Sequence, residues 1–151
     1  MKSFYDIANK IKDVVSAEPF NNEMTFGDIA EIDLKKQSLF PLCHLMINNA
    51  TIQENFVNFN VTIFFMDLVD ISNESTRDYF RGNDNKFDIL NTQLALATRV
   101  IRVLQKNDLY TSNFQLTENA TCEPFTERFD NVLAGWAVTL TIGTKDEMTY
   151  C

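Results

Sequence analysis

Residues 56–69 constrain this chain more than any other stretch. Val57, Phe59, Val61, Ile63 and Phe65 occupy alternate positions, with Asn58, Asn60 and Thr62 between them. A period of two belongs to a strand, whose successive side chains point to opposite faces; a helix would scatter the same residues around its whole circumference. From Phe64 onward the second set also turns apolar, through Met66 and Leu68. One face is therefore apolar throughout, while the other changes from polar to apolar partway along. The far end is expected to be covered on both faces, by a helix of the same chain or by another subunit.

Two helical stripes accompany this strand. Phe4, Ile7, Ala8, Ile11, Val14 and Val15 recur at helical spacing opposite Asp6, Lys10, Lys12 and Asp13, with Ser3 read as the N-cap. Phe87, Leu90, Leu94, Ala97, Ile101 and Leu104 form a second stripe, widened by Leu96, Val100 and Val103. Asn85 is read as its N-cap, with Asp88 three residues on. The remaining strands are expected at residues 40–47, closed by Asn48-Asn49, at Tyr110 to Leu116, at residues 121–129 and at residues 136–142. Gly135 is expected as a bulge, and Pro124 should confine its strand to an edge or a bulge. Residues 71–86 read as a long polar loop. The order of elements predicts an α+β fold, one mixed or antiparallel sheet with two main helices packed on it, in a single domain spanning 1–151.

Composition narrows the function. The chain has a formal net charge of -8, 4 Gly and 1 His. Such acidity opposes tight binding to nucleic acid or to an anionic membrane surface, and few residues are available for glycine-loop or histidine-based chemistry. The acidity is uneven: no Lys or Arg lies between Lys12 and Lys35, or between Lys36 and Arg77. Two readings fit that pattern, a solvated face kept for solubility and a surface that sits beside a polyanion without adhering to it. Three widely spaced cysteines (Cys43, Cys122, Cys151) and the absence of a signal-like apolar stretch point to synthesis in the cytoplasm, with no membrane.

Candidate chemistry is sparse. Cys43 and His44 are adjacent on a strand and should point to opposite faces, so His44 is read as a structural histidine. Asp67 and Asp70 are read as a solvated strand exit, and Asn83-Asp84-Asn85 with Asp88 as a helix start rather than a calcium loop. No GxSxG, HExxH, GxxxxGK[ST] or GxGxxG pattern occurs. The sequence reads as non-catalytic, without cofactor or metal.

Phe26-Gly27-Asp28, then Glu31-Ile32-Asp33-Leu34-Lys35-Lys36, then Phe40-Pro41-Leu42-Cys43-His44 resembles a pattern of small neck proteins of tailed bacteriophages. The Asn/Thr-rich strand, the polar loop, the helix containing Asn91-Thr92-Gln93-Leu94-Ala95 and the closing Ala134-Gly135-Trp136-Ala137-Val138 continue it. The chain is most similar in element order to the tail-terminator or tail-completion group, including neck-ring proteins of crAss-like phages. The resemblance implies a homo-oligomeric ring of six or twelve copies at the head–tail junction of a virion. Such a ring joins portal or neck to tail proteins and lets double-stranded DNA pass through its lumen. On that reading Tyr79, Phe80, Arg81, Tyr110 and Phe114 are interface candidates, and Glu18, Glu23, Asp28, Glu31 and Asp33 are lumen candidates. Two other classes remain open. One is a small ligand-binding or hydrolytic domain with a pocket under the second helix near His44, Asp67 and Tyr110; the other is an acidic host-interaction protein that mimics nucleic acid.

Overall fold

A computed structural model describes residues 3–27, 40–69, 80, 85–106, 114–128 and 133–145. Helix α1 spans Ser3–Ser16 and α2 spans Lys86–Gln105. The strands are β1 (Glu23–Phe26), β2 (Leu42–Ile52), β3 (Phe56–Leu68), β4 (Phe114–Leu116), β5 (Thr121–Arg128) and β6 (Leu133–Lys145). They form one six-stranded sheet in the order β1-β2-β3-β6-β4, with β5 also paired to β6. β1 runs parallel to β2, and the other described pairs are antiparallel. The fold is therefore α+β, with a mixed, mostly antiparallel sheet and two helices packed on it.

β3 is the central strand, as its alternation demands. It pairs with β6 without interruption from Phe56↔Lys145 to Leu68↔Leu133. That pairing fills one margin of β6, so β4 and β5 share the other. They lie end to end along it, with Thr117 N–H still bonded to the Thr141 carbonyl at 3.0 Å between them.

The odd-numbered face of β3 meets the helices. Val57, Phe59, Val61, Ile63 and Phe65 join Val138, Leu140 and Ile142 of β6 and Cys43 and Leu45 of β2. Over them lie Ile7, Ile11 and Val15 of α1 and Leu96, Ala97, Val100 and Leu104 of α2. Truncating a side chain as fully enclosed as Phe65 would cost on the order of 3–5 kcal/mol. The second face divides as the sequence predicted. Asn58 and Asn60 are half-exposed, whereas Phe64 and Met66 are buried with Phe40, Leu42, Phe125 and Leu133. The far end of β3 is thus covered on both faces within one chain, and the second face is covered without either helix.

Several expectations are corrected. α1 begins at Ser3, which is its first residue and not the residue before it. β2 does not close at Asn48-Asn49; it continues to Ile52 by absorbing one extra residue in a bulge between Ile47 and Asn49. Gly135 is in regular register on both sides. A Cβ there would collide with the Phe65 carbonyl oxygen and reach 2.8 Å from Met66 Cα, so close approach of two strands, not a bulge, requires the glycine. The buried stripe of α2 is Ile89, Gln93, Leu96, Ala97, Val100, Ile101 and Leu104, which leaves Phe87, Leu94 and Val103 exposed. Asn85 stands at the N-cap position without a side-chain cap bond. The strand expected from Tyr110 is seen only as β4, since residues 107–113 lie outside those described. Neither described helix is long and apolar enough to cross a membrane.

Candidate functional site

His44 is fully buried, and both ring nitrogens are engaged. Nε2 lies 2.8 Å from the Gly27 carbonyl oxygen, and Nδ1 lies 2.7 Å from Thr25 Oγ1. A carbonyl can only accept, so Nε2 carries the hydrogen and Nδ1 accepts from the threonine hydroxyl in the neutral ring. The imidazole thereby ties β1, and the turn at Gly27 that follows it, to β2. Gly27 has φ of 123°, a conformation open to glycine and strained for other residues. The structural reading of His44 matches this geometry. Cys43 points to the helix side of the sheet, where burial pushes its thiol well above the ordinary range.

Asp67 is not a solvated strand exit. It belongs to β3, opposite Ala134, and is half-buried. Desolvation raises its pKa, partly countered by the Leu68 N–H, which donates to Oδ1 at 2.8 Å. Asp67 shares strand parity with Phe65 on the helix side, whereas His44 lies across from Phe64 on the other side. The structure does not bring them into one pocket. Tyr110 and Asp70 lie outside the described residues. Among the described residues no three His, Cys, Asp or Glu side chains converge as metal ligands.

The depressions lined by described residues are open to solvent. One of about 310 Å³ is lined by Asn49, Thr51, Gln53, Asn58, Asn60, Thr141 and Glu118, on the polar half of the second face. Its amides partly satisfy one another. Asn48 Nδ2 donates to Asn60 Oδ1 at 2.8 Å and to Thr62 Oγ1 at 2.7 Å, and Asn60 Nδ2 donates to Thr141 Oγ1 at 3.3 Å.

Of the lumen candidates, Glu18 and Glu23 are among the described residues. Glu18 is drawn toward α2, where its Oε2 accepts from Arg99 Nε at 3.0 Å, and Arg99 also sits over the Phe20 ring. Glu23 is exposed on β1 at the strand position that faces away from the helices. Asp28, Glu31 and Asp33 lie outside the described residues, as do the interface candidates Tyr79 and Arg81.

Phe114 is buried in the principal core, so its ring packs within the chain. Phe80 is 85% exposed, with its ring centroid 5.8 Å from that of Phe87. Phe87 and Leu94, two turns apart on α2, extend this apolar row. A second apolar patch lies toward the free end of the β2–β3 hairpin. Phe4 stands between Phe26 and Phe59, with centroids 6.2 Å from each, and Tyr5 stands beside it at 5.9 Å.

Sequence reasoning pointed to neither patch as a unit. The helical spacing puts Phe87 and Leu94 on the stripe expected to pack on the sheet, and the exposure of Phe4 and Phe26 depends on where β1 stops. No model of a known protein family matches the chain, and no curated protein matches it significantly.

Proposed function

We propose that this chain is a non-catalytic structural subunit of a homo-oligomeric ring at the head–tail junction of a tailed bacteriophage. The ring would hold six or twelve copies, join portal or neck to tail, and let DNA pass through its lumen. The exposed row of Phe80, Phe87 and Leu94 carries this reading. It is an apolar row that runs from Phe80 onto α2, exposed on a chain of net charge -8. A closed ring needs heterologous contacts, in which one patch of each copy meets a different patch of the next. The α2 row supplies one such patch, at the interface candidate Phe80. The resemblance in element order supports the choice of ring, and the net charge of -8 suits a surface that DNA must leave freely.

The test is electron microscopy of the purified chain mixed with the portal and tail proteins encoded beside it. Closed rings should form, and a Phe87→Glu variant should abolish them while remaining folded. Persistent single copies in the presence of those partners, or rings unaffected by Phe87→Glu, would overturn the reading.

A further inference from the structure

β1 shields only the first part of β2. Its four residues pair with Leu42 through Leu45, and the Gly27 N–H donates to the Leu45 carbonyl where the two part. Beyond that point residues 48–52 are exposed, and among the described residues they pair only with β3. Asn49 and Thr51 align with Asn60 and Asn58 past the bulge. That leaves the backbone groups of Ala50 and Ile52 directed outward.

An open strand margin is a template for another strand, and folded proteins usually blunt it with charge, proline or brevity. Neither charge nor proline is present along it. Residues 42–53 contain no Asp, Glu, Lys, Arg or Pro. Beside this margin, on the helix side, stand Ile52 at 79% exposure, Tyr5 at 67% and Phe26 at 56%, with Phe4 partly exposed between them.

We infer that this margin pairs with the same margin of a second copy, antiparallel across a two-fold axis, so that one sheet continues through both chains. Charge selects the occupant. In a two-fold contact the same strip of each copy meets itself, so a strip bearing one sign of charge repels itself and an uncharged one does not. On a chain of net charge -8, this is a strip that can face itself without repulsion. Its Asn and Thr side chains both donate and accept, so they are self-complementary in the same sense. The adjoining Phe4, Tyr5, Phe26 and Ile52 expose on the order of 400–500 Å² of mainly apolar surface. A short strand ladder would bring that near the roughly 800 Å² per partner of a stable interface.

This contact lies apart from the α2 row and stands or falls without it. Light scattering or sedimentation equilibrium of the purified chain, from low to high micromolar concentration, tests it. The wild type should reach twice the single-chain mass. Ile52→Lys, which adds like charge to the strip of both copies and removes apolar contact, should raise the dissociation constant about a hundredfold or more with unchanged circular dichroism. Ala50→Pro, which removes an outward N–H at an exposed position, should act likewise. Thr121→Lys, on the opposite margin of the sheet, should leave the mass as in the wild type.

A wild type that stays single, or an assembly whose mass neither Ile52→Lys nor Ala50→Pro reduces, would overturn the inference. Equal dissociation by Thr121→Lys would overturn it too. A ring that survives Ile52→Lys intact sinks only this contact, whereas a clean dimer that never forms rings with its partners sinks only the ring.

Discussion

At one margin of the sheet, β2 runs through residues 46–52 without a charge or a proline, interrupted by the bulge between Ile47 and Asn49. At the other, the chain breaks away at residues 118–120 between β4 and β5, and β5 carries Glu123, Pro124 and a register shift between Thr126 and Arg128. Pro124 is opposite Trp136, and β5 keeps its register on either side of it. A proline has no N–H to give, so its position in β5 must be one that points away from β6. The outer side of β5 therefore lacks a donor near its middle. Both margins are strand edges of one sheet, yet one is fitted to refuse a further strand and the other is not. The difference separates an edge that protects the monomer from an edge available for assembly.

The largest expected effect comes from changing where the bare margin begins. His44 binds Thr25 and the Gly27 carbonyl, and so holds β1 over the first four residues of β2. His44→Ala leaves a cavity and removes both bonds, which should cost about 2–4 kcal/mol in denaturant unfolding. Hydrogen exchange should then rise first at the amides of Glu23 and Gly27, which donate to the Pro41 and Leu45 carbonyls, before those of β3. The open margin would lengthen accordingly, and self-association should strengthen. Unchanged protection of β1 would mean that His44 does not set this boundary.

A smaller effect is expected at the opposite margin. Pro124→Thr restores the missing donor with a residue that suits a strand. Stability should move by no more than about 1 kcal/mol. Association through β5 should appear where there was none, and light scattering would detect it as growth beyond the dimer. No growth would show that the chain break and Glu123 suffice to blunt this edge without the proline.

How much of this was legible in the sequence varies by element. β3 was read correctly because a strict alternation admits one geometry, and its two apolar faces beyond Phe64 foretold double coverage. α2 was placed correctly, but its stripe was rotated. Phe87, Leu90 and Leu94 are far more apolar than Gln93, yet Gln93 is buried and its Oε1 has no hydrogen-bond partner. A helix with apolar residues over so wide an arc leaves its inward direction to the sheet it meets.

β2 was cut short at Asn48-Asn49, since asparagine is depleted in strands, and the bulge that accommodates the pair leaves no mark of its own. Gly135 was identified as special for the wrong cause, because a bulge and a close strand crossing both ask for a missing Cβ. The candidate surfaces were less legible still. A bare margin is defined by where its neighbour stops, and β1 stops at Phe26 through the turn at Gly27 and the hold of His44, both tertiary facts.

The smallest effect concerns Asp67, at the end of β3 where β6 is flanked by β5, on the closed side of the comparison. Its pKa is raised in the folded chain by desolvation, against the opposing Leu68 N–H. A raised carboxyl pKa means that the folded state holds a proton which the unfolded state has already released. In the window between the ordinary carboxyl value and the raised one, the native chain therefore binds more protons, and stability falls as pH rises. The penalty is complete above the raised pKa and absent below the ordinary one.

Asp67→Asn removes the charge and keeps an oxygen to accept from Leu68, so it should stabilise the chain at neutral pH and do little in acid. Because the side chain is only half-buried, the gain should stay below about 1 kcal/mol. Thermal unfolding of both proteins at pH 7 and pH 3 measures the difference. A gain of equal size at both values would assign the effect to packing and not to the carboxylate. If the dimer also dissociated in the neutral variant, the closed end and the bare margin would be coupled through β3, and the two sides of the sheet could no longer be treated as independent.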